Sequence, residues 1–550
     1  MSKYLPKKED LVRQIEEQPG PLKGDFADRE WWEMPFEFRE GNFCFPAKPE
    51  VVEELGFSNP RKWTPTDEDW KLPSGWEKTL LDGMRERLKK YRSLKLYLDI
   101  CVRCGACADK CHFFLGTGDP KNMPVLRAEL VRSIYRNDLP MFRRVLRGFA
   151  GARPLTLNVL KELYMYFYQC TECRRCSVFC PMGIDTAEIT MMIRELLQLI
   201  GVNNNWILAP VANCNRTGNH LGIEPHMFVQ NIESLVDDIE ELTGVSVEPT
   251  FNRKGAEILF ITPSGDVFGD PGVYTMMGYL MLFHHIGLDY TISTYASEGG
   301  NFGFFTSNDM MKKLNAKMYH EAERLGVKWI LGGECGHMWR VVHQYMNTMN
   351  GPADFLEEPV SPVTGTKFGN AAATKMVHIA EFTADLIHHD KLRLDPKRND
   401  HLRTTFHDSC NAARGMGMFE EPRYILNKVC NSFHEMDENT IREQTFCCGS
   451  GSGINAEEYM EMRMKGGFPR ANAVRKVREK HKVDSLVTIC AIDRATLTPL
   501  MRYWNPGVSV YGLHELVGNA LVMDGEKKRT EDLREDPIKG FEDDGEDDET

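Results

Sequence analysis

The sequence lacks any run of about 18 apolar residues, the length that a membrane-spanning helix requires. Its most apolar window, YTMMGYLMLF, ends at His284 and His285. The amino terminus, MSKYLPKKED, also lacks the apolar core of a secretory signal peptide. We therefore expect a cytoplasmic protein without a membrane span, which reaches a membrane only through a partner.

Basic residues are scarce at the carboxyl end of the chain. Residues 531–550 contain eleven acids and two bases, and carry −9 of the net charge of −13. Such a composition buries too little apolar surface to fold, so residues 525–550 are predicted to be a disordered acidic tail. Residues 1–95, rich in tryptophan, proline and charge, are predicted to form an extended and partly helical arm.

Cysteine, in contrast, is abundant, with 16 residues in 550. The cysteines are bunched, and bunched cysteines in a reducing compartment bind metal more often than they form disulfides. Two stretches, CVRCGACADKC and CTECRRCSVFC, share the spacing C-x2-C-x2-C-x3-C. This is the spacing of bacterial ferredoxins, in which the fourth cysteine ligates the other cluster. A zinc scaffold is the alternative, since zinc also binds four thiolates.

The ferredoxin rule assigns four thiolates to each of two [4Fe-4S] cubane clusters. Cluster one takes Cys101, Cys104, Cys107 and Cys180. Cluster two takes Cys170, Cys173, Cys176 and Cys111. Residues 96–250 are thus predicted to form an alpha-helical ferredoxin domain.

The segment between the two motifs, residues 112–169, has apolar residues at helical spacing. Its nine bases outnumber its four acids, which predicts either a solvated helix face or a basic docking surface. His112 stands where the second motif has Pro181. We expect this difference to affect a turn and not cluster ligation.

From residue 256 the pattern changes to alternating strands and helices. The stretches AEILFITPSG, DYTIST, VKWILGG, HLRTTFHDSC and DSLVTIC are predicted strands, separated by helical segments. We predict an α/β domain over residues 256–524, with two related halves at 256–345 and 401–500. The fold class is therefore multi-domain, α plus α/β.

A second group of cysteines lies in this region, in the order Cys410, Cys447, Cys448 and Cys490. Cys410 and Cys490 follow predicted strands, and α/β domains build their sites at the carboxyl edge of the sheet. The adjacent pair Cys447 and Cys448 cannot easily form a disulfide, because the geometry strains the peptide between them. We predict that the pair binds a third object, and that the alternating glycines after it let a partner approach.

This cysteine order resembles the CCG domain of heterodisulfide reductases, whose pattern ends in C-x-x-C. Here that last position is Asp493, and aligning the two strand ends puts Cys335 opposite it. In the first half, Ser264 and the stretch EGGNFGFF stand where further cysteines are expected. The resemblance implies one special [4Fe-4S] cluster of cubane or noncubane geometry. Its ligands would be Cys410, Cys447, Cys448, Cys490 and Cys335, with Asp493 as the alternative to Cys335.

Several remaining side chains are assigned from their position in the sequence. Cys44, Cys214 and Cys430 are predicted to be core residues. His337 and His407 neighbour the special site, either as proton donors or as packed histidines.

Residues 100–500 together resemble the catalytic iron–sulfur subunit of membrane-bound heterodisulfide reductases. The stretches CVRCGACADKCHFFLGTGDP, GGECGHMWR and CCGSGSG are similar to DsrK-type subunits of DsrMKJOP, the membrane complex associated with sulfite reduction. That resemblance implies a position on the cytoplasmic side of the membrane, beside DsrM, the menaquinol-linked haem-b subunit. The implied substrate is a trisulfide or disulfide of the small protein DsrC.

Relatives with the same layout serve glycolate, lactate or glycerol-3-phosphate oxidation. In those complexes the iron–sulfur subunit only conducts electrons and performs no disulfide chemistry. They keep two fuller CCG halves, whereas the first half here lacks most of its cysteines. This difference favours the heterodisulfide-reductase type.

Overall fold

The computed structural model describes residues 72–138, 151–202, 205–455, 460–527, 529 and 533–534. Cys44 and most of the predicted amino-terminal arm lie outside these residues. Inside the predicted acidic tail, Leu533 is buried and Arg534 donates hydrogen bonds to Glu515 at 2.9 Å. The packed chain therefore continues past the predicted boundary at residue 525, because these two side chains find partners on the α/β region.

Among the described residues, helices precede the first strand. They are α1 (Trp76–Lys90), α2 (Arg92–Ile100), α3 (His112–Thr117), α4 (Pro124–Asn137), α5 (Leu157–Tyr168), α6 (Arg175–Val178), α7 (Thr186–Leu199), α8 (Asn205–Thr217) and α9 (Pro225–Thr243). Side-chain caps fix two of the starts: Thr156 accepts from the Val159 amide, and Asp185 accepts from the Ala187 amide. The apolar faces of α1, α4, α5 and α7 meet in one core, as the helical spacing predicted.

Two parallel sheets follow. The first has the order β2 (Tyr290–Ile292), β1 (Ile258–Ile261), β3 (Trp329–Gly332) and β4 (Met376–His378). The second has the order β5 (Thr404–His407), β6 (Ser485–Thr488) and β7 (Ser509–Gly512). The strands are buried on both faces, as apolar runs in parallel sheets usually are.

The five predicted strands all form, but each sheet takes one further strand from outside its predicted half. β4 begins at Met376, beyond the boundary at residue 345, and β7 begins at Ser509, beyond residue 500. Both strands run directly into a helix that begins at the next residue, Ile379 or Leu513, so no turn residues mark where the strand ends. That the two sheets are related halves stays a prediction.

Helices connect and cover these strands. They are α10 (Gly265–Phe268), α11 (Gly272–His285), α12 (Gly300–Gly303), α13 (Asn308–Leu325), α14 (Gly336–Val341), α15 (Asn347–Asn350), α16 (Ile379–His388), α17 (Ala413–Met416), α18 (Glu420–Val429), α19 (Met460–His481), α20 (Ala491–Trp504) and α21 (Leu513–Ala520). Between α14 and α15, Val342–Met346 forms a π-helical turn.

The strand register places the site. Ile261 of β1 pairs with Gly332 of β3, and His407 of β5 pairs with Thr488 of β6. The turns that follow these four strand ends therefore lie at the carboxyl edges of the two sheets, where parallel sheets form their sites. A Cβ on Gly336 would lie 2.6 Å from the Ser409 hydroxyl, so only glycine allows the two edges to approach this closely.

Candidate iron–sulfur site

The two ferredoxin motifs form loops of the same shape. Arg103 and Glu172, each two residues after the first cysteine, have φ angles of 57° and 54°. Gly105 and Arg174, each one residue after the second cysteine, have φ angles of 80° and 60°. Non-glycine residues rarely adopt this left-handed conformation, so the repetition indicates that both loops wrap an object of similar size.

The first loop gathers the four cysteines assigned to cluster one. Cys101, Cys104, Cys107 and Cys180 line one cavity, together with Cys176. Burial raises the pKa of Cys107 to about 12, and the neighbouring sulfurs of Cys101 and Cys180 add to the effect. The structure thus brings Cys180 of the second motif to the first motif.

The second loop gathers the cysteines assigned to cluster two. Burial raises the pKa of Cys176 to about 12, and the sulfurs of Cys170 and Cys111 contribute. Cys111 of the first motif therefore lies beside the second motif. The exchange of the fourth cysteine matches the ferredoxin rule, while the ligand assignment itself stays a prediction.

Arg127 faces this second group. Its side chain is buried and donates to the Asn122 side chain at 2.9 Å. Burial alone would lower its pKa, but the sulfurs of Cys170 and Cys111 raise it. Arg132 is buried as well, in an ion pair with Glu129. A solvated helix face and a basic docking surface, the two alternatives for this segment, are therefore both wrong at these two positions, because the arginines are buried.

Cys447 is the centre of the third group. Hydrogen bonds from the thiols of Cys173, Cys410 and Cys448 lower its pKa well below the usual range. The amide of Gly449 also approaches its sulfur at 3.4 Å. Donors around a sulfur favour the thiolate, which is the form that binds iron.

Cys335 and Cys490 form a second thiol pair of the special site. A hydrogen bond from the Cys335 thiol lowers the pKa of Cys490, and His337 acts in the same direction. Both cysteines are buried. The first sheet thus supplies Cys335 directly against a cysteine of the second sheet.

Asp493 also reaches this site. Burial would raise its pKa, but His407, whose Nε2 lies 3.5 Å away, and the Cys448 thiol lower it. Cys335 and Asp493 therefore both lie beside the other cysteines of the special site, and either can be its fifth ligand. Cys214 and Cys430 lie in apolar cores, as predicted.

His112 was missed by sequence reasoning. Its Nδ1 lies 2.8 Å from the Gly466 carbonyl oxygen, and its Nε2 lies 2.8 Å from the Thr171 hydroxyl. That hydroxyl is 3.2 Å from the sulfur of Cys447. One nitrogen of His112 and the sulfurs of Cys173 and Cys447 lie within 4.8 Å of one another. His112 therefore does more than shape a turn, and its replacement of proline was the available signal; that it is not a cluster ligand stays a prediction.

The glycines after the cysteine pair have a different role from the predicted one. A Cβ on Gly449 would lie 2.9 Å from the Gly467 backbone, and a Cβ on Gly451 would lie 2.9 Å from the Thr171 carbonyl. A Cβ on Gly453 would meet Ile207. These glycines make room for this chain's own backbone and side chains, so the prediction that they admit a partner is wrong.

Buried polar atoms test whether the site fits an iron–sulfur cluster. Among the described residues, Nδ1 of His407, Nδ1 of His337 and the hydroxyl of Ser450 are buried without a hydrogen-bond partner. Such atoms are costly unless something accepts their hydrogen bonds. The sulfides of a cluster are suitable acceptors, so these residues and the five cysteines fit the predicted group.

A buried ion network joins the two sheet edges beside the site. Arg494 of α20 donates to Asp266 of α10 and to Glu334, which precedes Cys335. Nδ1 of His514 lies 2.7 Å from the Glu334 carboxylate. The Glu334 carbonyl also accepts from the Ala491 amide at 3.0 Å. These contacts hold the Cys335 turn against the Cys490 turn.

Two family descriptions match the chain. A 4Fe-4S dicluster domain matches residues 97–184, and a cysteine-rich domain matches residues 404–495. These matches confirm the predicted 4Fe-4S clusters, including one in the cysteine-rich domain.

Relatives match over nearly the full length. The Hdr-like menaquinol oxidoreductase iron–sulfur subunit 2 of Archaeoglobus fulgidus is 47% identical, over 96% of this chain and 99% of that protein. The corresponding protein of Archaeoglobus profundus is 46% identical, over 94% and 98%. The chain belongs to the family of Hdr-like menaquinol oxidoreductase iron–sulfur subunits. A component of the dihydromethanophenazine:CoB–CoM heterodisulfide reductase of Methanosarcina mazei is 23% identical, over 65% and 79%.

Membership of this family gives the chain a heterodisulfide-reductase-like electron-transfer role in an oxidoreductase complex. Among the described residues, no helix is both long and apolar enough to cross a bilayer.

Proposed function

We propose that this Hdr-like protein carries electrons from a menaquinol-linked membrane partner to a special cluster, where the S–S bond of a small partner protein is reduced. The partners are of the DsrM and DsrC type within a DsrMKJOP-like complex of sulfite reduction, on the cytoplasmic side of the membrane. The substrate bond is the trisulfide or disulfide of the DsrC-type protein. These finer assignments rest on the resemblance of the cysteine segments.

One observation carries the proposal. The sulfur of Cys173, assigned to cluster two, lies within 4.8 Å of the sulfur of Cys447, assigned to the special cluster. Electrons that reach the second ferredoxin loop therefore arrive beside the special site. Bound by these cysteines, the clusters would supply single-electron transfer and iron that can ligate sulfur.

The protein groups provide what cleavage of an S–S bond requires besides electrons. The five cysteines of the special site are buried, which limits the access of water to it. Gly449 and Met338 direct amides at Cys447 and Cys335, which stabilises negative sulfur. Thr171 and His112 fix the position of Cys447 next to the ferredoxin loops.

Electron paramagnetic resonance of the oxidised holoprotein tests the proposal, with and without the dithiol form of a DsrC-type protein. The wild type is expected to show a signal that depends on the dithiol, and Cys447→Ser is expected to abolish it. Cys214→Ser, a buried cysteine outside the site, serves as the control. A dithiol-dependent signal that survives Cys447→Ser contradicts the assignment, as does an iron content of only about eight per chain.

The fifth ligand is decided by a matched pair of variants. We expect Cys335→Ser to lower the iron content and alter the signal, and Asp493→Asn to preserve both. The opposite result would assign the position to Asp493. A pure electron-transfer protein would give no response to the dithiol in any variant.

A further inference from the structure

A buried polar cluster lies at the carboxyl edge of the first sheet, where the cysteines of this half are missing. Nδ1 of His220 lies 2.6 Å from Oε1 of Glu298, and the backbone amide of His220 donates to the same oxygen at 2.8 Å. The Ser264 hydroxyl donates to this oxygen at 2.5 Å and lies 2.9 Å from Nδ1. The three side chains therefore form one continuous hydrogen-bonded unit.

The cluster runs from the surface inward. The side chain of His220 is 23% exposed, whereas that of Glu298 is 2% exposed. Ser264 is completely buried. A titratable group thus meets solvent at one end, and the other two members extend into the protein.

The buried end reaches the special site. A Cβ on Gly265, next to Ser264, would lie 3.7 Å from the Cβ of Ala491, so the Ser264 turn contacts the turn that carries Cys490. Helix α12, which follows Glu298, packs against α14, whose first turn begins after Cys335. The polar cluster and the cysteine site therefore share a wall.

The electrostatics favour a charged pair, with the proton on His220 and the negative charge on Glu298. Burial would raise the pKa of Glu298, but His220 and Ser264 lower it. Burial would lower the pKa of His220, and Glu298 raises it. Within the part of the chain that the structure describes, the thiols of Cys335 and Cys214 also face Glu298, and Lys317 of α13 faces Cys214. His220 is the base that pairs with Glu298 in an ion pair.

We propose that His220, Glu298 and Ser264 form a proton relay from solvent to the cysteine site. This inference rests on the proposed function, because reduction of a disulfide consumes protons: R–S–S–R′ + 2 e⁻ + 2 H⁺ gives R–SH + R′–SH. The S–S bond breaks and two S–H bonds form. The electrons arrive through the ferredoxin loops from the quinol-linked partner, and the protons come from water through His220.

Glu298→Gln tests the relay, because the amide keeps the shape of the carboxylate but cannot carry a proton. The assay follows reduction of a DsrC-type disulfide by the holoprotein, with a reduced viologen as the electron donor and a pH indicator dye in stopped flow. We expect proton uptake and disulfide reduction to fall together, by about 10²-fold. Iron content, the paramagnetic resonance signal and the rate of electron entry should stay at wild-type values.

Glu321→Gln is the matched control. Glu321 is also a buried carboxylate that accepts from a serine, with the Ser293 hydroxyl at 2.6 Å, but it also pairs with Arg324. We expect its proton uptake and turnover to equal those of the wild type. His220→Gln should show the same loss as Glu298→Gln, and added imidazole should restore its rate by replacing the missing base.

The outcomes separate the two proposals. A wild type that reduces no disulfide overturns the proposed function and the relay with it. An active wild type with undiminished proton uptake in Glu298→Gln overturns the relay alone. If Glu298→Gln loses iron, His220→Gln provides the test. A loss of proton uptake in His220→Gln that imidazole restores supports the relay. Proton uptake at the wild-type rate, or a loss that imidazole does not restore, refutes the relay.

Discussion

The ion network of Arg494, Asp266 and Glu334 at the sheet edges is expected to stabilise the folded protein. In Arg494→Met, Asp266 and Glu334 lose the guanidinium that pairs with both of them. Breaking a buried ion pair from one side costs about 3–5 kcal/mol, because the remaining charge is left uncompensated.

The loss should stay within that range although two carboxylates are involved. Burial raises the pKa of Asp266 to about 6 even beside Arg494, so this carboxyl takes up a proton readily once the arginine is gone. Glu334 keeps its contacts with the imidazole and the backbone amide of His514, both at 2.7 Å. Only part of the uncompensated charge therefore remains.

The melting temperature of the holoprotein measures this effect. A unit of 150–250 residues loses roughly 2–4 °C per kcal/mol, so we expect a decrease of about 6–20 °C. The special cluster should also lose signal, because the network holds the Cys335 turn against Cys490. A variant that combines Arg494→Met with Asp266→Asn and Glu334→Gln should recover part of the loss.

Arg324→Met is the control, because Arg324 pairs with Glu321 while 43% of its side chain is exposed. Such surface pairs contribute about 0–1 kcal/mol. If Arg494→Met melts within about 2 °C of Arg324→Met, the network does not hold the two edges together and the reasoning is refuted.

Two further predictions concern buried charges elsewhere. Arg127→Met should lower the reduction potential of the cluster in the second loop by roughly 50–100 mV, about 1–2 kcal/mol for one electron. Redox titration measures this change. Arg103→Met removes an arginine that is 42% exposed and should leave that potential unchanged. Burial lowers the pKa of His378 to about 3, while its Nδ1 accepts from the Ala380 amide at 3.1 Å. The folded protein therefore requires the neutral ring of His378. The contribution of this ring to the free energy of unfolding is complete above pH 6.5, and it falls by about 1.4 kcal/mol per pH unit below that value. Urea midpoints of the wild type and of His378→Asn, which retains a capping side chain, test this at pH 7.5 and 5.5. If the midpoint changes equally with pH in both proteins, the prediction is contradicted.

The sequence by itself determined the parts that local spacing controls. The repeated cysteine motifs predicted two equivalent loops. The apolar runs located five of the seven strands that the structure describes. The order of Cys410, Cys447, Cys448 and Cys490 indicated one site, since turns after parallel strands meet at a common edge. The motifs and strands depend on residues a few positions apart, and the order of the four cysteines adds only the rule that parallel strands end at one edge.

Only the tertiary structure decided which distant groups meet. It placed Cys173 against Cys447, turned Arg127 inward, gave His112 a contact to the site through Thr171, and joined Ser264 to Glu298. These contacts link segments tens to hundreds of residues apart, and no periodicity encodes them. Their formation depends on how the helical region packs over the two sheet edges, which is a property of the assembled cores.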